Sequence, residues 1–315
     1  MAPLRIIFMG TAELSCASLE KLSSDRTFEV VAVVTQPDKP KGRDLKLTAS
    51  PVKVLATRLQ LPVLQPLKAR EEAFIAQLRD LKPDLMVVVA YGQILPSAIL
   101  EIPPHGCLNV HTSLLPKYRG AAPIQWAMAN GDAETGVTIM KMDAGLDTGP
   151  ILAMRPTPIL PTDDSPALHD RLAQLGAELL AETIPGYVAG KISPQSQPTE
   201  GSTYAAKIKN EDGQMDWNRP AVQLWNRMRA FTPWPGAFIF LPAEPRPQLL
   251  KIWKAEVVER SGKAGEILSA DKTGIVTGCG QGALRILELQ REGGKRVTSE
   301  QFLAGFPLKA GDRWG

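Results

Sequence analysis

Apolar and polar positions follow two different rhythms along this chain. In the first, short unbroken apolar runs alternate with stretches of helical spacing. LRIIFMG (Leu4–Gly10) and FEVVAVVTQPD (Phe28–Asp38) are β-branched runs of strand length, the second breaking at Pro37. A helix through SLEKL separates them. SPVKVLATRLQ (Ser50–Gln60) has helical spacing with Ser50 as N-cap and Pro51 at the first helical position. REEAFIAQLRDLKPD (Arg70–Asp84) is an amphipathic helix stopped before Pro83. DLMVVVAYG (Asp84–Gly92) is almost continuously apolar, as a strand covered on both faces must be. GCLNVH and GVTIMKM (Gly136–Met142) read as two more strands, and Ala167–Gly190 as a long amphipathic helix. This alternation predicts a parallel sheet wrapped by helices.

The second rhythm begins after a polar stretch without core periodicity, KISPQSQPTEGSTYAAKIKNEDG (Lys191–Gly213). A helix, WNRMRAFTPWPG, ends at Pro233. Beyond it GAFIFL, LLKIWKAEVV, AGEIL, TGIVTGC and ALRILELQ are separated by Gly, Pro and Asp, the pattern of a small β-barrel. The expected division is residues 1–190, a linker at 191–206, and a second domain at 207–315.

Composition narrows the class. The chain has 315 residues, 44% apolar and 22% charged, as expected of an ordinary two-domain globular protein. No apolar run is long enough for a membrane span, and the N-terminal apolar segment is too short for a signal peptide. Cys16, Cys107 and Cys279 lie far apart, which argues against a disulfide framework or zinc site and fits a reducing cytoplasm. From Thr203 onward there are 17 Lys and Arg against 12 Asp and Glu, while residues 1–202 carry 19 against 21. A basic last third points toward a polyanionic partner, with a solvated basic surface as the plain alternative.

The first strand–helix turn, MGTAELSCAS, has one glycine where a dinucleotide fingerprint needs three, and no phosphate loop is present. Neither a nicotinamide nor an ATP enzyme is expected. Candidate chemistry lies elsewhere. In the strand LNVH, Asn109 and His111 share one face and Leu108 and Val110 the other. MDAGLDTGPI follows a later strand, with Asp147 between Gly145 and Gly149. Asn, His and Asp together make a donor, an acid–base group and a carboxylate to hold it. Read from these residues alone, a lone strand-end histidine such as His111 is more often a hydrogen-bonded packing residue than a catalyst, and an Asp-rich segment more often a turn than a site.

NVHTSLLPKYRGAAPIQWA (Asn109–Ala127) followed by MDAGLDTGPIL resembles the signature of the folate-dependent formyltransferases, and within them the methionyl-tRNA formyltransferases. FMGTAELSCASLEKL, TQPDKPKGRDLKLTASPVK and YAAKIKNEDGQMDWNRPA with RAFTPWPGA extend the resemblance over nearly the whole chain. Ala12 and Leu14 depart from its usual Pro and Phe. The resemblance implies a Rossmann-like formyltransferase domain followed by an OB-like, tRNA-binding β-barrel. It implies 10-formyltetrahydrofolate as the formyl donor, initiator methionyl-tRNA as acceptor, and no metal. Asn109, His111 and Asp147 would be catalytic, the first two donating to an oxyanion and Asp147 holding the imidazole. Ser113, Leu114, Leu115 and Pro116 match the folate-contacting stretch, and Lys117 and Arg119 would face the charged substrate. In the loop QPDKPKGRDLKL (Gln36–Leu47), Lys41 and Arg43 would reach the tRNA, joined by Lys207 and Lys209. A formyltransferase acting on an amino-sugar nucleotide is the alternative; the basic loop favours the longer RNA backbone.

Overall fold

The computed structural model describes residues 2–41, 46–242 and 246–314. They form two compact units, the first comprising Met1–Pro123, Glu134–Pro158 and His169–Ala205, the second Ile124–Ala133, Ile159–Leu168 and Ala206–Gly315.

The elements run in chain order as β1 (Leu4–Gly10), α1 (Leu14–Ser24), β2 (Phe28–Val34), β3 (Lys39–Lys41), β4 (Lys46–Thr48), α2 (Pro51–Arg58), β5 (Val63–Leu64), α3 (Glu72–Asp80), β6 (Leu85–Val89), α4 (Ser97–Leu100), β7 (Cys107–His111), β8 (Arg119–Gly120), α5 (Pro123–Ala129), β9 (Glu134–Lys141), β10 (Ile151–Pro158), α6 (Ser165–Val188) and β11 (Tyr204–Ala205). Seven strands build the main sheet of the first unit in the order β10-β9-β7-β6-β1-β2-β5. The five from β7 to β5 are parallel. Ile6 to Met9 of β1 are wholly buried and all of β6 is buried, so the apolar runs are continuous because helices cover both faces. The Ser50 cap forms as the sequence predicts: its hydroxyl accepts from the Lys53 N–H, with Pro51 opening α2. In α3, Phe74, Ile75 and Leu78 are the buried face.

Two features were not legible in the pattern. β9 runs antiparallel to β7, and β10 antiparallel to β9, so the sheet is mixed. β10 escapes notice because alternate residues of its second half are exposed and Pro156 and Pro158 interrupt it, as an edge strand tolerates. The short helix α5 was hidden in the Gly- and Pro-bearing loop.

The second unit adds α7 (Ala221–Ala230), preceded by a single 3-10 turn at Asn210–Gly213. Its strands are β12 (Ala237–Leu241), β13 (Gln248–Val258), β14 (Ile267–Asp271), β15 (Gly274–Gly278), β16 (Ala283–Arg291) and β17 (Arg296–Thr298), with α8 (Ser299–Gly305) at the end. The order is β12-β13-β16-β15-β14 with β17 also on β16, every pairing antiparallel. Leu250, Ile252, Ile275, Leu284, Ile286 and Leu289 alternate into its core against Leu224 and Met228 of α7. This is the all-β domain expected from the short runs.

Candidate active site

β7 carries the candidate residues out of a packed sheet. Val110 points toward α6, where a Cβ on Gly176 would come within 2.8 Å of its Cγ1. Alternation therefore turns Asn109 and His111 to the other face. His111 is buried, 5% exposed. Its Nε2 lies 2.9 Å from the carbonyl oxygen of Tyr118. A carbonyl only accepts, so Nε2 carries the hydrogen of that bond, which leaves Nδ1 to accept when it is unprotonated and to donate when it is protonated. Nδ1 faces Asp147 Oδ2 at 3.7 Å.

Asp147 gathers the rest. Asn109 Nδ2 donates to its Oδ1 at 3.4 Å, and the Gly120 N–H donates to Oδ2 at 2.8 Å. The segment that carries it leaves β9 beside the start of β7, where the Met142 N–H bonds to Cys107 O, and then doubles back along the strand to Asn109. Asp147 itself sits at φ 51°, a left-handed conformation that aspartate tolerates better than most residues. Gly149 packs on Lys141 so closely that a Cβ would stand 1.9 Å from its carbonyl oxygen. The turn requires that glycine.

Residues absent from the sequence reading hold this arrangement. Gln197, from the polar stretch after α6, donates from Nε2 to both Asp147 O and Gly149 O at 2.8 Å. Its Oε1 accepts from Arg119 Nε and Nη2 at 3.1 and 2.7 Å. Thr203 Oγ1 accepts the Tyr118 N–H, and its carbonyl accepts the Arg119 N–H. Thr138, opposite His111 in β9, is wholly buried; its hydroxyl donates to Ser113 O at 2.7 Å and accepts from Leu115 N at 3.1 Å. These are ordinary polar residues with no local spacing that singles them out. Only the long-range hydrogen bonds reveal them.

The other expected residues separate into groups. Ser113 and Leu115 are buried, Ser113 Oγ donating to Lys117 O, whereas Leu114 and Pro116 are half-exposed. Within that stretch, then, side-chain surface is offered by Leu114 and Pro116. Lys207 and Lys209 are exposed; the Glu211 carboxyl is held below its ordinary range by a hydrogen bond from backbone and, more weakly, by Lys209 Nζ at 3.4 Å. Lys41 ends β3, which pairs with β4, but its side chain and all of Arg43 lie outside the described residues. At the base of that hairpin Asp38 is held low by hydrogen bonds from Lys53 and Gln65. A cavity of about 440 Å³ is lined by Lys68, Ala69, Arg70, Gln93, Ile94 and Pro96; none of Asn109, His111 or Asp147 borders it.

A half-buried Asn and a buried His sharing one carboxylate, in a loop of fixed backbone amides, suit acyl transfer: donors for an oxyanion and a ring nitrogen to take a proton. Comparison with known proteins agrees with that chemistry. Residues 4–184 match the formyl transferase family and residues 207–307 the formyl transferase C-terminal domain. The chain is 53% identical over 315 residues to a methionyl-tRNA formyltransferase of Geobacter sulfurreducens, covering 100% of this chain and 98% of the relative. It is 50% identical to one of Myxococcus xanthus over 309 residues, 98% of this chain and 97% of that one. Among solved structures, HypX from Aquifex aeolicus in complex with tetrahydrofolic acid superposes with a TM-score of 0.64 at 18% identity, over 99% of this chain and 50% of that longer one. WlaRD, a sugar 3N-formyl transferase solved with dTDP and 5-N-formyl-THF, gives 0.67 at 19% identity over 90% and 96%. At that identity the two structures speak to fold alone, but the sequence matches cover nearly the whole chain and carry the assignment: this chain belongs to the formyl transferase family.

Proposed function

We propose that this enzyme transfers the formyl group of 10-formyltetrahydrofolate to the α-amino group of initiator methionyl-tRNA. The observation that carries the reading is the convergence of Asn109 and His111 on Asp147, in a chain 53% identical over its full length to an enzyme of that name. Residues 1–190 form the catalytic part, completed by Gln197 and Thr203 from the 191–206 stretch expected as a linker, and 207–315 form the RNA-binding part. Leu114 and Pro116 fit a flat, partly apolar ring, because Thr138 fixes the backbone between them and Leu115 anchors it from beneath. The folate supplies the activated formyl group.

The remaining work falls to this chain. The α-amino group of an aminoacyl ester is substantially neutral near its ordinary pKa of about 7.7–8.0, so a strong base is unnecessary. Its nitrogen attacks the formyl carbon, and the carbonyl oxygen gathers charge. Asn109 donates to that oxygen through the Nδ2 hydrogen not directed at Asp147. His111 Nδ1 takes the proton that the amine sheds and passes it toward the leaving nitrogen as the old C–N bond breaks. While protonated, Nδ1–H is shared between the oxyanion and the Asp147 carboxylate. Donation by His111 to the oxyanion thus runs through Nδ1, since Nε2 is engaged by Tyr118 O.

Lys41, Arg43, Lys207 and Lys209 are proposed to contact tRNA phosphates, a role that releases counterions and makes affinity fall with salt. The test is formyl transfer to methionyl-tRNA, beside an amino-sugar nucleotide, across a salt series. Transfer to the tRNA, weakening steeply with salt, is expected. Transfer only to the sugar nucleotide overturns the acceptor and the RNA-binding role of residues 207–315.

A further inference from the structure

Tyr204 is an exposed aromatic side chain held against the catalytic loop. It keeps 65% of its surface in solvent. The backbone is fixed: β11 pairs in parallel with β8, Tyr204 opposite Arg119 and Ala205 opposite Gly120. The ring lies on Gly120, where a Cβ would meet Tyr204 Cε2 at 2.8 Å and Cδ2 at 3.2 Å. Gly120 has φ 117°, which other residues rarely adopt, so the site is reserved for glycine twice over. The N–H of that same Gly120 donates to Asp147 Oδ2. One residue therefore bears the carboxylate on its amide and the aromatic ring on its α-carbon.

Resting on the acceptor proposed above, we infer that Tyr204 is a stacking platform for the terminal nucleobase of the aminoacylated RNA end. The chemistry is direct. Attack requires the aminoacyl ester to lie beside Asn109, His111 and Asp147, and the ester is joined to the sugar of the terminal nucleoside. Seven covalent bonds join the amine to the glycosidic nitrogen, so the base must begin within about 10 Å of the amine, and unpaired bases seek aromatic faces regardless of their identity. A ring fixed by a strand pair gives such a face without the entropy cost of ordering a loop. A purely structural role, the ring shielding the Gly120 backbone, predicts a different response to substitution.

The experiment compares wild type with Tyr204→Phe, Tyr204→Leu and Tyr204→Ala on three acceptors: methionyl-tRNA, 3′-O-methionyl-adenosine and methionine methyl ester, which has no base. Loss of one base–aromatic stack corresponds to roughly 5- to 150-fold. Tyr204→Ala and Tyr204→Leu are expected to lose that factor in kcat/KM, mainly through KM, on the two nucleoside-bearing acceptors and to match wild type on the ester. Tyr204→Phe is expected to stay within about 2-fold on all three. Equal losses on the ester, or wild-type behaviour of Tyr204→Ala on methionyl-adenosine, overturns the platform while leaving the tRNA activity standing. A wild-type enzyme inactive on methionyl-tRNA overturns the proposed function, and the platform with it.

Discussion

Removing the side-chain amide of Gln197 isolates the effect of positioning from that of chemistry. Gln197 touches no candidate reacting atom, yet its Nε2 bonds two carbonyls that bracket the catalytic turn, Asp147 O and Gly149 O, each at 2.8 Å. An intramolecular hydrogen bond contributes about 0.5–1.5 kcal/mol net, so the pair contributes roughly 1–3 kcal/mol. They act on a residue at φ 51°, a conformation that persists only while its surroundings over-determine it. Gln197→Ala leaves the carboxylate held by the Gly120 N–H and Asn109, so the loop loosens without collapsing. A misplacement cost of about 1–2 kcal/mol in the transition state corresponds to roughly 5- to 30-fold in kcat. Gln197→Glu separates the two ends of the side chain: a carboxylate keeps Arg119 and cannot donate to either carbonyl. Steady-state formyl transfer, with KM for the donor measured in parallel, should show kcat reduced in both variants and donor KM little changed. A Gln197→Glu enzyme with wild-type kcat beside an impaired Gln197→Ala would mean that Arg119, not the Asp147 turn, is what Gln197 serves. Wild-type kcat in both refutes the positioning argument.

Asn109→Ala should lower kcat about 10²- to 10³-fold with circular dichroism unchanged, as for other oxyanion donors; loss of the folded signal instead would assign Asn109 to the sheet. His111→Ala should abolish turnover, and near-normal activity would remove it from the proton path. Thr138→Val keeps shape but leaves Ser113 O and Leu115 N without their partner, which should cost about 1–3 kcal/mol in chemical denaturation and raise donor KM; an unchanged midpoint would show that water replaces the hydroxyl. Burial pushes the Cys107 thiol up to about 12 and Cys279 to about 11. A raised thiol pKa means the folded state holds the proton more tightly, so this stabilisation is complete below pH 9 and is lost as pH rises toward 11–12. Alkylation of native protein at pH 8 should therefore leave Cys107 unmodified and label it only after denaturation; rapid native labelling would contradict its burial.

Much of the architecture is local information. The unbroken apolar runs of β1 and β6 specify strands covered on both faces, the Ser50–Pro51 pair starts α2, and strict alternation in LNVH places Asn109 and His111 on one face, away from α6. Short apolar runs between turn residues likewise specify an all-β second unit. All of these rest on periodicity and capping, which act between residues a few positions apart. The site depends on contacts that periodicity cannot encode. The antiparallel course of β9 follows from how the chain re-enters the sheet, and it decides that Asp147 must travel back along β7 to meet Asn109, 38 residues away in sequence. The polar stretch after α6 reads as a linker because its residues bury no apolar stripe, yet Gln197 and Thr203 within it hold the turn and the Tyr118–Arg119 backbone. A hydrophobic pattern records what is withdrawn from water; a hydrogen bond between two distant loops leaves no such record, and only the folded chain brings its partners within 3 Å.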